Sequence, residues 1–184
     1  MNRRHAIAAM GLGGLALTGA AEPAQTLKVS MVLPELYGHD GKLSMPPTLR
    51  KAGYGFRFIV VVENLLAEDV FVWADGNSAG HGTLSFEITE ADGKKSIVHR
   101  IEREWWKNVI RAEKLVPHGL HARVIEYDPL PGKSPEWEAF PFRDKNHEVT
   151  MRAVFEQAEV KGGKLKLWAG KTVSDARKVM LWNT

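Results

Sequence analysis

The chain has 184 residues, no cysteine and a formal net charge of +3 at pH 7. The lack of cysteine excludes disulfides, thiolate catalysis and cysteine-ligated zinc, iron–sulfur or blue-copper sites. Arg3 and Arg4 belong to an N-terminal export signal, and without them the formal charge falls to +1. A general nucleic-acid-binding surface is therefore not expected.

The first 21 residues have the pattern of a cleaved signal peptide. Arg3 and Arg4 precede an apolar stretch at 6–17, and small residues follow at 18–21. The apolar stretch is shorter than the ~20 residues that a membrane-spanning helix needs. We therefore expect a signal peptide at 1–21 and one domain at 22–184, exported to the periplasm or secreted, with no membrane span.

Two export routes stay open. Adjacent arginines before a glycine-rich apolar stretch are typical of a twin-arginine signal. Asn2 stands where serine or threonine is usual, however, and Ala6 stands where a bulky apolar residue is usual. An ordinary Sec signal with two basic residues fits equally.

The rest of the chain reads as short strands separated by turns. The stretch 26–33 is the first candidate strand. The stretch 56–62 is almost continuously apolar and β-branched, which predicts a central strand buried on both faces. A strand at 70–73 follows a short acidic turn.

The clearest strand is 83–89, where Leu84, Phe86 and Ile88 alternate with polar residues. Asp92 and Gly93 predict a hairpin turn after it, with a return strand at 96–101. Further strands are expected at 120–127, 149–155, 165–168 and 179–182, with a second hairpin turn at 161–164. A short helix is possible only within 103–114.

Eight or nine strands without intervening helices predict a single all-β domain, an antiparallel immunoglobulin-like β-sandwich. Two segments, 34–55 and 128–147, are expected to be long loops because they are rich in glycine, proline or lysine. Long loops in compact domains are often functional. Weakly packed connectors are the alternative.

Residues 76–80 match the nucleophile motif G-x-S-x-G, with Ser78 as the serine. In hydrolases with that motif the serine is followed by a helix, whereas here the next residues predict a strand. Asp75, Gly76 and Asn77 are also ordinary turn residues. A β-turn is the preferred interpretation, and no catalytic residue is assigned.

Histidines provide the candidate metal ligands. His118 and His121 are three residues apart, which on a strand places them on opposite faces. His39 and His81 lie in expected loops, and catalytic zinc needs three protein ligands. The pattern assigns no metal ligands and no cofactor, although a periplasmic copper- or zinc-binding protein is kept as an alternative.

Tryptophan is the most distinctive residue type of the expected domain. Neighbouring residues on a strand face opposite sides, so one of Trp105 and Trp106 would be exposed beside Arg103 and Lys107. An exposed tryptophan next to cationic side chains suits a binding surface. The alternative is that both are buried. All six tryptophans follow the signal: Trp73, Trp105, Trp106, Trp137, Trp168 and Trp182.

Six short segments carry a resemblance to a group of uncharacterised bacterial exported proteins with an immunoglobulin-like sandwich. The last has the pattern W-x-G-x-x-x-S, which resembles the final hairpin of many such domains. The resemblance implies the fold and no catalytic residue. A more distant architectural similarity is to bacterial proteinase-inhibitor domains. In order, the segments are Asn77-Ser78, Leu84-Ser85-Phe86-Glu87 with Asp92-Gly93, Trp106-Lys107-Asn108, Val116-Pro117-His118-Gly119, Arg152-Ala153-Val154-Phe155-Glu156 and Trp168-Ala169-Gly170-Lys171-Thr172-Val173-Ser174.

The functional expectation is a non-catalytic exported module that binds a protein partner or an extracellular polymer. The candidate surface comprises Trp105, Trp106 and the loop around Trp137. The alternatives are a proteinase inhibitor that presents residues of 34–55, and the metal-binding protein. The sequence does not indicate an oligomeric state.

Overall fold

The computed structural model describes residues 26–50, 56–105, 108–127, 136–159 and 165–183. The expected signal peptide lies outside these residues. Most of the regular structure is β-strand, which confirms the all-β prediction. No helix in the described ranges is long and apolar enough to cross a membrane.

The described residues form thirteen strands and one helical turn, more strands than the eight or nine expected. The strands are β1 (Leu27–Val32), β2 (Leu36–Tyr37), β3 (Leu43–Met45), β4 (Thr48–Arg50), β5 (Phe56–Asn64), β6 (Val70–Trp73), β7 (Leu84–Glu90), β8 (Lys95–His99), β9 (Ala112–Leu115), β10 (Leu120–Tyr127), β11 (His147–Gln157), β12 (Gly170–Val173) and β13 (Arg177–Trp182). The helical turn is α1 (Ser78–His81), between β6 and β7.

The two larger sheets contribute most of the core, and the β6–β9 pair adds Val70, Val72 and Leu115. The first of the larger sheets has the order β1-β5-β10, and the second has the order β4-β13-β11-β7-β8, with β12 paired to β11. The strand pairs are antiparallel except for the parallel pair of β4 and β13. Two smaller sheets pair β2 with β3 and β6 with β9.

The core lies between the two larger sheets, and alternation along the strands produces it. Phe58 of β5 and Phe86 of β7 meet edge to face, with ring centroids 5.2 Å apart. Trp137 and Phe140 pack against Phe86 from the segment before β11. Because successive side chains of a strand point to opposite faces, Leu84, Phe86 and Ile88 all reach this core. The prediction for this strand is confirmed.

The prediction that residues 56–62 are buried on both faces is wrong. β5 is the middle strand of its sheet, but only alternate residues such as Phe58 and Val60 are buried. Arg57 is exposed, and Ile59 retains 36% of its accessible surface. A β-branched run is equally compatible with a one-sided sheet, since branching favours strands whatever covers their second face.

The predicted loop at 34–55 is also corrected, because its described part contains β2, β3 and β4. β4 pairs with the last strand of the chain, which local sequence cannot indicate. In the other predicted loop, residues 136–146 form no strand. Their Trp137 makes an isolated bridge to Arg100.

The possible helix within 103–114 is not formed in the described residues, since 112–115 form β9 and pair with β6. The strand expected at 165–168 is reduced to a single bridge between Leu167 and Phe71. The hairpin turn at 91–94 is confirmed, with Gly93 at a φ of 84°. The second turn, 161–164, lies outside the described residues.

Residues late in the chain hold the beginning of β1. The indole Nε1 of Trp168 donates to the hydroxyl of Thr26 at 2.7 Å. The hydroxyl of Thr172 donates to the carbonyl oxygen of Leu27 at 3.2 Å. The first described residues are thereby tied to the connection before β12 and to β12 itself.

Candidate functional site

The helical turn α1 is fixed by its cap and by close packing on the end of β6. The side-chain oxygen of Asn77 accepts from the Gly80 amide at 3.1 Å, as is usual for a helix N-cap. Its amide group donates to the carbonyl of Arg111 at 3.0 Å. A Cβ on Gly80 would lie 2.0 Å from the carbonyl oxygen of Ala74, so only glycine fits at this position.

Ser78, the serine of the G-x-S-x-G motif, is the first residue of α1. Its amide donates to the side-chain oxygen of Asn108 at 3.1 Å, and its hydroxyl accepts from Asn108 at 2.5 Å. The nearby His81 directs Nε2 to a carbonyl, and its Nδ1 has no hydrogen-bond partner. Ser78 therefore has no hydrogen bond to His81 that would activate its hydroxyl.

A cleft of about 640 Å³ opens beside α1. We call it the Trp105 cleft. Its volume lies within the range of about 300–1,000 Å³ that is usual for small-ligand sites. Its walls come from α1, the end of β8, the segment after β8 and one residue before β11. The lining residues are Ser78, His81, Gly82, His99, Arg100, Ile101, Glu102, Arg103, Trp105 and Glu138.

His81 forms the buried wall of the Trp105 cleft and is only 5% exposed. Its Nε2 lies 3.0 Å from the carbonyl oxygen of Ile101. Because a carbonyl oxygen can only accept, Nε2 carries a proton. In the neutral ring Nδ1 is then an acceptor, and it is buried without a partner.

Trp105 is half-buried at the edge of the cleft. Its ring meets that of His81 edge to face at 5.4 Å, and the guanidinium carbon of Arg103 lies 4.2 Å from its centroid. The indole thus lies between an imidazole and a cation. Trp105 combines an apolar ring with partial access to solvent.

Of the other two sequence-predicted site residues, Trp106 lies outside the described residues, and Trp137 is not brought to this cleft. Trp137 is 2% exposed and packs against Phe86, while Arg100 lies 5.4 Å from its ring centroid. Its side chain belongs to the core, where a partner cannot reach it.

Paired charges, of which Arg123 is the most deeply buried, adjoin the Trp105 cleft through Arg100. The carboxylate of Asp75 pairs with Arg100 at 2.5 Å and with Arg123 at 3.2 Å, and Arg100 also pairs with Glu136. We call these four residues the charge cluster. Burial lowers the pKa of Arg123, and Asp75 opposes that shift. The arginine nevertheless stays charged, because its ordinary pKa is far above neutrality.

His121 extends from the charge cluster toward the surface. Its Nδ1 lies 2.9 Å from a carboxylate oxygen of Glu113, and its Nε2 accepts from Nε of Arg123 at 3.2 Å. Burial lowers the pKa of His121, and Glu113 opposes the shift. The neutral ring, with the proton on Nδ1, satisfies both contacts.

The candidate metal ligands are spread over the molecule. His118 is exposed at the turn before β10, whereas His121 is occupied by Glu113 and Arg123. Among the described residues, no three histidine, aspartate or glutamate side chains are grouped to hold a metal ion.

Sequence reasoning did not identify His81, Arg100 or Arg123 as parts of one site. A signal for Arg123 was present, since it shares the inward-facing positions of β10 with Ile125 and Tyr127. A charged residue in such a position indicates a buried ion pair. Local sequence held no comparable signal for His81 or Arg100.

No protein-family model matches the chain, and no curated protein has significant sequence similarity to it. A functional hypothesis for this chain therefore rests on the geometry of the Trp105 cleft.

Proposed function

We propose that this protein is a non-catalytic, exported binding module with an immunoglobulin-like β-sandwich fold. It recognises a protein partner or an extracellular polymer through the Trp105 cleft. The observation that carries this proposal is the position of Trp105, a half-buried aromatic ring at the edge of a cleft of about 640 Å³. Tryptophan is enriched at recognition sites because it offers a large apolar surface with few rotatable bonds.

Two features support the fold and export components of the proposal. Antiparallel sheets with one shared core, as between Phe58 and Phe86, are the architecture of a β-sandwich. The basic, apolar and small-residue pattern at 1–21 is typical of an export signal.

The polar groups of the cleft support binding rather than acid–base catalysis. The carboxylate of Glu138 accepts from the backbone amide of His99 at 2.9 Å, and Ser78 is engaged by Asn108. His81 donates to a backbone carbonyl. These groups hold the walls of the cleft in place, and a rigid site loses less entropy when it binds a ligand.

Protease inhibition and metal binding stay predictions. The inhibitor alternative places the reactive residues within 34–55, and about half of the described part of that segment forms β2, β3 and β4. The binding module is therefore the proposed function.

Trp105→Ala tests the proposal. The purified full-length protein is incubated with insoluble cell-envelope polymer and, separately, with solubilised envelope proteins, and the bound fraction is measured against protein concentration. Wild-type protein should bind one of them saturably, and Trp105→Ala should weaken that binding by at least about tenfold, the effect of losing a hot-spot tryptophan.

Trp182→Ala is the matched control. Trp182 is also half-buried and also has an arginine near its ring, Arg50 at 4.7 Å, but it lies on β13 outside the Trp105 cleft. Equal losses in the two variants, or saturable binding to neither fraction, would overturn the proposal. Thermal melts of both variants show whether each remains folded.

A further inference from the structure

We propose that the ligand of the Trp105 cleft is a neutral, polyhydroxylated chain, that is, a carbohydrate. This inference rests on the proposed binding function and names its ligand class. Three independent properties of the cleft lead to it: unpaired polar atoms in its walls, cancelling charges and an aromatic edge.

The first property is a pair of buried polar atoms without partners, both on residues that line the cleft. One is Nδ1 of His81, an acceptor in the neutral ring. The other is Nε of Arg100, which can only donate. Neither atom is accessible to solvent in this conformation, so a ligand can reach them only after the two side chains turn slightly toward the cleft. A ligand that then supplies a donor at one point and an acceptor at another would satisfy them.

A hydroxyl group can supply both the donor that His81 needs and the acceptor that Arg100 needs. Each hydroxyl can donate one hydrogen bond and accept two, so it can serve either atom. A carboxylate or a phosphate supplies acceptors, whereas an ammonium supplies only donors. A sugar ring carries several hydroxyls and can therefore pair with His81 and Arg100 together.

The second property is the balance of charge. The lining contains two arginines, Arg100 and Arg103, and two glutamates, Glu102 and Glu138. Arg100 is in turn paired with Asp75 and Glu136, and Asp75 also pairs with Arg123. The described lining and the charge cluster together hold three arginines and four carboxylates, so an ionic ligand of either sign would meet nearly as many like charges as opposite ones. The electrostatic balance therefore favours a ligand without net charge.

The third property is Trp105 itself. Arg103 lies over one face of its indole, and the part of the half-buried ring that stays exposed is an apolar surface beside polar walls, which matches the apolar faces and polar rim of a sugar ring. Peptides that add to a sheet edge need unpaired backbone groups. At the cleft, the end of β8 and the residues after it bond instead to the chain before β11: the amide of Ile101 donates to the carbonyl of Glu136, and the amide of Glu138 donates to the carbonyl of His99. That backbone is not available for strand addition.

The test is a calorimetric titration of the full-length protein with six defined oligosaccharides. Four are neutral hexamers, of glucose, xylose, mannose and N-acetylglucosamine. One is anionic, a galacturonate hexamer, and one is cationic, a glucosamine hexamer. We expect at least one neutral hexamer to bind more tightly than either charged hexamer. Trp105→Ala should weaken this binding by at least about tenfold and Trp182→Ala by less than about twofold.

A second variant addresses the polar wall. Arg103→Met keeps an apolar stem over Trp105 but removes the charge, so neutral sugar binding should change by less than about threefold if the charge of Arg103 is not used for recognition. A loss as large as that of Trp105→Ala would show that recognition depends on the charge of Arg103, and it would overturn the inference of a site built for a neutral ligand.

The remaining outcomes separate this inference from the proposed function. If no neutral hexamer binds while envelope material still binds through Trp105, the carbohydrate assignment is wrong and the binding module stands. If both assays fail, both proposals fall. If ordered water alone pairs with His81 and Arg100 in a high-resolution structure grown with the sugars, the carbohydrate assignment is also overturned.

Discussion

The apolar centre of the molecule is fully buried, whereas the charge cluster extends from the buried Arg123 to the exposed Glu136, and different forces hold the two regions. The rings of Phe58, Trp137 and Phe140 pack against Phe86, so the contacts are spread over many atoms. In the charge cluster, the carboxylate of Asp75 serves two arginines. The first region can redistribute its contacts when one side chain changes. The second joins its two arginines through one carboxylate, so it should be less tolerant of small chemical changes.

Phe86→Ala should give the largest loss of stability. The side chain is completely buried, and its removal leaves a cavity between the two sheets. We expect the free energy of unfolding to fall by about 4 kcal/mol. Phe86→Leu keeps most of the volume and should cost less than about 2 kcal/mol. Urea denaturation measures both variants, and equal losses would contradict the view of an adaptable core.

Asp75→Asn should follow, although it changes almost no volume. The substitution leaves Arg123 buried without its carboxylate, and we expect a loss of about 3 kcal/mol. Arg123→Met removes the buried charge together with its desolvation cost, so it should be milder by at least about 1 kcal/mol. If Arg123→Met is the more damaging variant in the same denaturation assay, the charge cluster is not organised around Asp75.

Gly80→Ala tests whether α1 is held as tightly as the charge cluster beside it. The new methyl group would collide with the backbone of Ala74, so we expect a loss of about 2 kcal/mol. Gly82→Ala is the control, because no atom lies within 4 Å of the added Cβ. It should leave thermal stability unchanged or slightly raised. A similar loss of stability in both variants would show that the clash between residue 80 and the backbone of Ala74 is not what destabilises the protein.

The smallest expected effect concerns pH. Burial lowers the pKa of His121 below its usual 6.5 in the folded chain, so the unfolded chain takes up this proton first as the pH falls. The contribution of His121 to the free energy of unfolding is fully present above about pH 6.5. It declines below that pH, by at most about 1.4 kcal/mol per pH unit. The charged groups around the ring are Glu113, Arg123 and Asp75.

His121→Gln should remove that part of the pH dependence. Unfolding free energies of the wild type and the variant are compared between about pH 7.5 and 5.5, the range in which histidine ordinarily titrates. The difference between the two proteins should shrink toward acid pH. Parallel curves would show that protonation of His121 is not linked to folding.

The sequence predicted strands well where the pattern is local. β7 could be predicted from the alternation of Leu84, Phe86 and Ile88, and the turn after it from Asp92 and Gly93. The short strands were not predicted, because they form only by pairing with strands that are distant in the sequence. β4 exists through its pairing with β13, and β9 exists through its pairing with β6.

The candidate site divides in the same manner. Trp105 could be selected from composition and from its cationic neighbours. His81 could not, because its burial results from α1 packing on the end of β6 and from Ile101, twenty residues later. Trp137 has the same residue type as Trp105 but lies in the core, since local sequence does not specify which tryptophan the sheets enclose.

The attachment of β1 to the end of the chain has a consequence for folding. Thr26 and Leu27 bond to residues 142 and 145 positions later. The entropy of closing such long loops is lost before the contacts become favourable, which slows folding. A chain emerging from the ribosome cannot make these bonds until Trp168 and Thr172 have been synthesised. Docking of β1 on β12 therefore follows the synthesis of Thr172, and until then the edge of β1 is open to contacts with other molecules.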